Sequence, residues 1–202
     1  MQFDPNQLSQ KEVYKLLTGL IIPRPIAWVS TINSNGIANL APFSYFNAAG
    51  DDPPHVMFSI SNSGNVQKDT LRNILQNKEF VVNMVPFDLT EKMNATAAAL
   101  PPDESEFDFA QVQKGQAVKV QPPLVAESPV SMECVLVHHY TLEQHQHGGS
   151  TIIIGKIVHF HVRDAILLEN MHVNIDQYQP ITRLAGANYA KLGELFTIKR
   201  PT

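Results

Sequence analysis

Cysteine is nearly missing from this chain of 202 residues: a single one, Cys134, excludes an internal disulfide framework. A basic excess is missing too. Lysine and arginine number 15 against 19 acidic residues, a formal net charge of -4, so the electrostatic footprint of a nucleic-acid binder is not there. No stretch approaches the ~18 consecutive apolar residues of a membrane span. The opening Met1–Gln10 has neither the basic nor the apolar region of a signal peptide. The expectation is a cytoplasmic protein with no membrane and no nucleic-acid partner. HExxH and Cys-x-x-Cys patterns are absent, so no metal site is expected. No Gly-x-Ser-x-Gly elbow marks a hydrolase serine. Without Gly-x-Gly-x-x-Gly or a Walker loop, any nucleotide cofactor must bind in a non-Rossmann manner.

What is present suits one globular domain over residues 1–202. With 44% hydrophobic and 17% charged residues, the chain can bury a core without disulfides or metals. Ser9-Gln10-Lys11-Glu12 fits a capping box, followed by a short helix with Val13, Leu16 and Leu17 on one face and Gly19 as its stop. Strand-like runs recur at Ile26–Thr31, His55–Ile60, Glu79–Val85, Ser128 onward and Thr151–Val162. Gln144–Gly149 links the last two as a long hairpin that exposes His145 and His147. Helices are expected from near Lys68, with Leu71, Ile74 and Leu75 inward, and over Leu89–Leu100, stopped by Pro101-Pro102. Asp103–Phe109 reads as a surface loop, with a lid over a pocket as the alternative. A short strand closes the chain at Leu195–Ile198. Many strands with few helices predict a closed or nearly closed antiparallel barrel with helical decorations.

Two stretches concentrate chemistry. In Ile22–Asn47, Pro23 and Pro25 hold Arg24 on a stiff, extended backbone. Asn35-Gly36 then supplies the positive φ of a tight turn. The chain returns through small residues, Asn39, Ala41, Ser44 and Asn47, that let a flat ligand approach backbone. The plain reading is a buried hairpin; the functional one is a ligand wall. In Ser61–Leu75 a strand runs through a Ser/Asn/Gly loop into a helix, where orphan amides, the hydroxyls of Ser61, Ser63 and Thr70 and the Lys68 ammonium suit a phosphate. A helix capped by Asp69 or Ser63 is the alternative. Cys134, between Met132 and Leu136 on a strand face, reads as a small buried hydrophobe. Ile153, Gly155, Ile157, His159 and His161 share one face, and no carboxylate neighbours the histidines in sequence.

PRPIAWVST (Pro23–Thr31), NLAPFSYF (Asn39–Phe46), SISNSG with KDTLRNI (Ser59–Ile74) and VVNMV (Val81–Val85) together resemble the flavin reductase-like FMN-binding split-barrel family, in its flavoredoxin-type branch. Gly155–Val158 and Arg183–Tyr189 extend the likeness over nearly the whole chain. The resemblance implies a mainly β fold, an antiparallel, Greek-key-like split β-barrel of six strands with peripheral helices, and a homodimer with non-covalent FMN near the subunit interface. It further implies Thr31, Asn39, Leu40 and Ala41 along the ring and ribityl chain, Ser44 at the ring's polar edge, and Ser59, Ser61, Lys68, Asp69 and Thr70 at the ribityl and phosphate end. Arg24 would stand beside the flavin, with Arg183 and Tyr189 closing the site. Many relatives carry an arginine ahead of the lysine-aspartate-threonine run; this chain has Asn65-Val66-Gln67. The implied activity is that of an NAD(P)H-dependent flavin reductase or electron-transfer oxidoreductase, with NADH or NADPH as transient donor and a redox protein or flavin-dependent oxygenase as partner. No residue is assigned a catalytic role. The alternative is a module that stores or senses FMN without turnover.

Overall fold

A computed structural model describes residues 1–61, 67–142 and 149–201. Ser63, Asn65, Val66, His145 and His147, on which some expectations fall, lie outside them. In chain order the elements are α1 (Gln10–Leu20), β1 (Ala27–Ile32), β2 (Ala38–Phe43), β3 (Phe46–Asp51), β4 (Pro54–Ser61), α2 (Asp69–Asn77), β5 (Glu79–Met84), α3 (Thr90–Ala95), α4 (Glu106–Phe109), β6 (Lys114–Gly115), β7 (Leu124–Val125), β8 (Val130–Thr141), β9 (Ser150–Val162), α5 (Ile175–Tyr178), β10 (Ile181–Arg183) and β11 (Tyr189–Lys191).

Seven strands form one antiparallel sheet in the order β2-β1-β5-β8-β9-β4-β3. Its outermost strands, β2 and β3, are consecutive in the chain and joined through Ser44 and Tyr45, where the Ser59 amide donates to the Tyr45 carbonyl at 2.9 Å. The sheet therefore curls back on itself, yet no ladder joins β2 to β3, which makes the barrel split. Alternation sends Ala27 and Val29, Phe80 and Val82, Met132 and Cys134 into one interior cluster with Phe43, Phe58 and Ile153. Helix α2 seals the opening with Leu71 and Ile74. The other face of β1 carries Trp28, with Ile26 just before the strand, into a second cluster with Leu40, Met93 and Phe107, beneath α3 and α4.

The interior is built around one close approach. A Cβ on Gly155 of β9 would lie 2.2 Å from Phe80 Cζ, so the ring occupies the space any larger residue would need. Phe80 in turn packs edge-on against Phe58, with centroids 5.6 Å apart.

Several expectations are corrected. The capping box is present, with Ser9 and Glu12 bonded reciprocally, but α1 runs through Gly19 to Leu20. The Asn35-Gly36 turn has positive φ at Gly36 alone, and Asn33 holds it by accepting the Asn35 and Ile37 amides on its side chain. Helix α3 ends at Ala95 rather than Leu100, because Thr96 turns inward to donate to the Met93 carbonyl and accept the Trp28 indole N–H at 2.8 Å. Asp103–Phe109 is not a surface loop throughout: Ser105 at the N-cap of α4 and Glu106 and Phe107 on it are buried. No strand forms at Leu195–Ile198. The main sheet has seven strands rather than six.

The most consequential correction concerns β9. A bulge pairs Cys134 with Ile157 but the adjacent Glu133 with His159. Ile157 stays in the interior, Val158 joins an outer cluster with Val81 and Val120, and the histidines leave the face of Ile153 and Ile157. His161 meets the buried Glu133, which also accepts the amides of Val118, Lys119 and Val120. Burial opposes ionisation of Glu133, but His161 and these amides outweigh it and hold the carboxyl below its usual range.

Candidate functional site

The start of α2 opens into a cavity of about 470 Å³ lined by Asn39, Ala41, Lys68, Thr70, Thr96 and Glu106 among others. Lys68 occupies the N-cap position with no side-chain bond capping the helix among the described residues. Asp69 does not cap either; it pairs with Arg72 one turn on. Orphan amides and the positive end of the helix dipole therefore face the cavity. Thr70 is buried, and its Oγ1 accepts a hydrogen bond from the Asn39 side-chain Nδ2 at 3.0 Å, which leaves the hydroxyl proton available for donation. The Lys68 ammonium lies 5.7 Å from the Phe43 ring centroid.

Glu106 is the carboxylate that the sequence did not single out. It is buried on α4 with one oxygen accepting the Leu40 amide at 2.9 Å. Burial raises its pKa above the ordinary range, opposed by the Leu40 bond and reinforced by Asp69.

A second cavity, of about 260 Å³, shares Pro42 and Ala97 with the first and continues past Tyr14, Asn94, Tyr189 and Arg183. Two arginines meet there, since Arg24 and Arg183 exchange both backbone hydrogen bonds, at 3.1 and 2.9 Å. Among the described residues its lining holds no carboxylate. The Arg183 guanidinium sits 4.5 Å over the Tyr189 ring and donates to the tyrosine oxygen. Arg24 is 6% exposed, and its guanidinium donates to the carbonyls of Thr18, Ile21 and Leu184 at 2.7–3.0 Å and to Ser44 at 3.5 Å. It clamps the end of α1 to the turn after β10 while its charge still borders the cavity. A third, apolar hollow of about 390 Å³, lined by Leu17, Ile21, Phe46, Met57 and Ser59, meets the second at Arg24, Ser44 and Tyr45.

The expected residues thus fall along one groove, unevenly. Asn39, Ala41, Lys68, Asp69 and Thr70 line its α2 end; Arg24, Ser44, Arg183 and Tyr189 line the next section. Leu40 contributes its amide to Glu106, its side chain being buried in the second cluster with Trp28. Thr31 is fully buried beneath α2 and accepts the Asn73 amide. Ser59 lines the apolar hollow, and Ser61 is exposed at the end of β4 beside Ser150. Tyr14, Asn94, Thr96 and Glu106 were not expected in the groove. They come from α1, α3 and α4, whose docking depends on distant contacts; the one local signal was Phe107, an aromatic within an acidic run.

Comparison with known proteins follows this geometry. Residues 19–182 match the family model described as flavin reductase like domain. The protein YwrF of Bacillus subtilis (strain 168) is 42% identical over 203 residues, 99% of this chain and 98% of its own. The crystal structure of nitrilotriacetate monooxygenase component B from Bacillus cereus superposes with a TM-score of 0.94 at 39% identity, covering 98% of each chain. That of 2-nitrobenzoate 2-nitroreductase NbaA from Pseudomonas fluorescens gives 0.88 at 30%, covering 100% of this chain and 97% of the other.

Proposed function

We propose that this chain, which belongs to the flavin reductase like domain family, binds FMN non-covalently along the groove and passes electrons from NADH or NADPH to an acceptor. The observation that carries this reading is the groove itself, with a helix N-terminus that no side chain among the described residues caps at one end and paired arginines farther along.

The residues fit such a ligand. A phosphate carries about two negative charges and finds at α2 the helix amides, the Thr70 hydroxyl and the Lys68 ammonium; charge-assisted bonds of this kind contribute about 1.5–3 kcal/mol each when water is excluded. Asp69 is paired with Arg72, which offsets its charge beside the phosphate. Small residues at Asn39 and Ala41 leave room for a flat ring near backbone, while Pro42, Tyr45 and Tyr189 offer apolar surface. Flavin, when bound, supplies the hydride and single-electron chemistry; the protein orients it and sets its electrostatic surroundings. Arg24, immobilised by its carbonyl partners, places a fixed positive charge beside the second cavity, and Arg183 with Tyr189 forms its far wall.

Likeness to a monooxygenase component B supports a role in supplying reduced flavin to an oxygenase. A homodimer is supported by the exposed apolar residues Leu17, Ile21, Tyr45 and Met57, which line one hollow beside the edge strand β3. The single cysteine supports a cytoplasmic location. Purified protein loaded with FMN and titrated anaerobically with NADH and then NADPH tests the activity. Bleaching of the oxidised flavin band is expected. A spectrum unchanged by both donors would remove the reductase reading and leave a module that binds FMN without turnover.

A further inference from the structure

On the outer face of β8 and β9, away from the groove, Glu133, His159 and His161 each offer one ligand atom, and these atoms lie within 4.8 Å of one another. We propose that the three side chains form a binding site for one divalent first-row transition-metal ion of the zinc, cobalt or nickel class.

Ligand type selects the ion. Two imidazoles and one carboxylate suit borderline ions, whereas magnesium and calcium require oxygen donors throughout. Ligand orientation is already established. Glu133 is fully buried, and its Oε1 accepts the Val118 amide at 2.7 Å while Oε2 accepts those of Lys119 and Val120. Three of about four lone-pair positions are thereby taken by amides, and the remaining one, on Oε1, faces His161 Nε2 at 2.5 Å. Amides that fix a carboxylate in this way serve as the outer shell of a metal centre. The His159 and His161 rings stand 4.7 Å apart at 67°, so their nitrogens converge without stacking.

The β9 bulge creates the arrangement. Without the extra residue at Val158, the histidines would continue on the interior face behind Ile157 and never meet Glu133. His159 and His161 are half-buried, so one side of the cluster is open to water for the remaining coordination positions. Because an ionised carboxylate can only accept, His161 Nε2 carries the proton in their hydrogen bond. An entering ion takes that proton's place: metal–nitrogen and metal–oxygen bonds form as the Nε2–H bond breaks and its proton passes to solvent, and where the ring was neutral Nδ1 takes one up, so His161 binds the ion as a neutral imidazole. The ion would pin β8 and β9 to the 118–120 segment.

The test is titration of the metal-free protein, without flavin, with Co²⁺, read by visible d–d absorption and by calorimetry. One equivalent per chain is expected, with affinity falling more than about 100-fold in His159→Ala/His161→Ala and staying unchanged in His138→Ala/His139→Ala. His161→Gln, which keeps a donor to Glu133, is expected to fold as the wild type does and to lose the ion equally, so a loss of binding cannot be ascribed to unfolding. Absence of saturable binding in the wild type overturns the proposal, as does binding retained by the double variant or by His161→Gln.

Discussion

Lys68→Ala probes the phosphate end of the groove with a magnitude that the structure sets. A buried charge-assisted bond to a phosphate contributes about 1.5–3 kcal/mol, whereas an exposed ion pair contributes about 0.2–1 kcal/mol. Lys68 is exposed, at the mouth of the cavity and against the Phe43 ring. Its contribution should therefore sit between these ranges, about 1 kcal/mol, which corresponds to roughly a fivefold weaker FMN affinity. Because the ammonium is in contact with solvent, salt screens it strongly. Quenching of flavin fluorescence, titrated at low and high ionic strength, reads both quantities. The wild-type affinity should fall with salt more steeply than that of the variant, and the fivefold gap should narrow. An unchanged affinity at low salt, or a gap that salt leaves intact, would refute the placement of the phosphate at α2.

Other perturbations follow from the packing and the titrating groups. Gly155→Ala forces the Phe80 ring out of contact distance in a filled interior, and should cost about 1–3 kcal/mol, lowering Tm by roughly 2–12 °C for a domain of this size; a melt like that of the wild type would show that Phe80 has room to move. Glu106, whose folded pKa is raised by burial, makes the native state bind its proton more tightly than the unfolded chain does. It therefore subtracts stability as pH rises from its unfolded value of about 4.3 through its folded value. Urea midpoints of Glu106→Gln should exceed those of the wild type at pH 7 by more than at pH 4, and parallel curves would contradict the assignment. Thr96→Val strands the buried Trp28 indole N–H and should destabilise by about 1–3 kcal/mol, measured by denaturant unfolding.

What sequence reveals here is local. The Ser9–Glu12 capping box, the alternation of β1, β5 and β8, and the start of α2 just after Lys68 are each set by neighbours within a few residues, and each is found in the structure. Arg24 shows the limit. Prolines on both sides announced a stiff mount, but its carbonyl partners include Leu184, 160 positions away, so its role as a clamp was not legible. Helix α3 stops at Ala95 because Thr96 meets Trp28, a contact across 68 positions. The bulge at Val158 breaks a two-residue period without leaving a glycine or proline to mark it, and one inserted residue moves both histidines across the sheet. Glu106 hid in an acidic run whose burial depends on Phe107 reaching the second cluster with Trp28 and Leu40.

Equilibrium titration of the purified protein with FMN decides whether the groove from α2 to Arg183 holds a flavin. Saturation at one FMN per chain is expected, with an affinity that weakens with salt and loss of the oxidised flavin band when reduced nicotinamide is added. A protein that fails to take up added FMN would contradict that expectation.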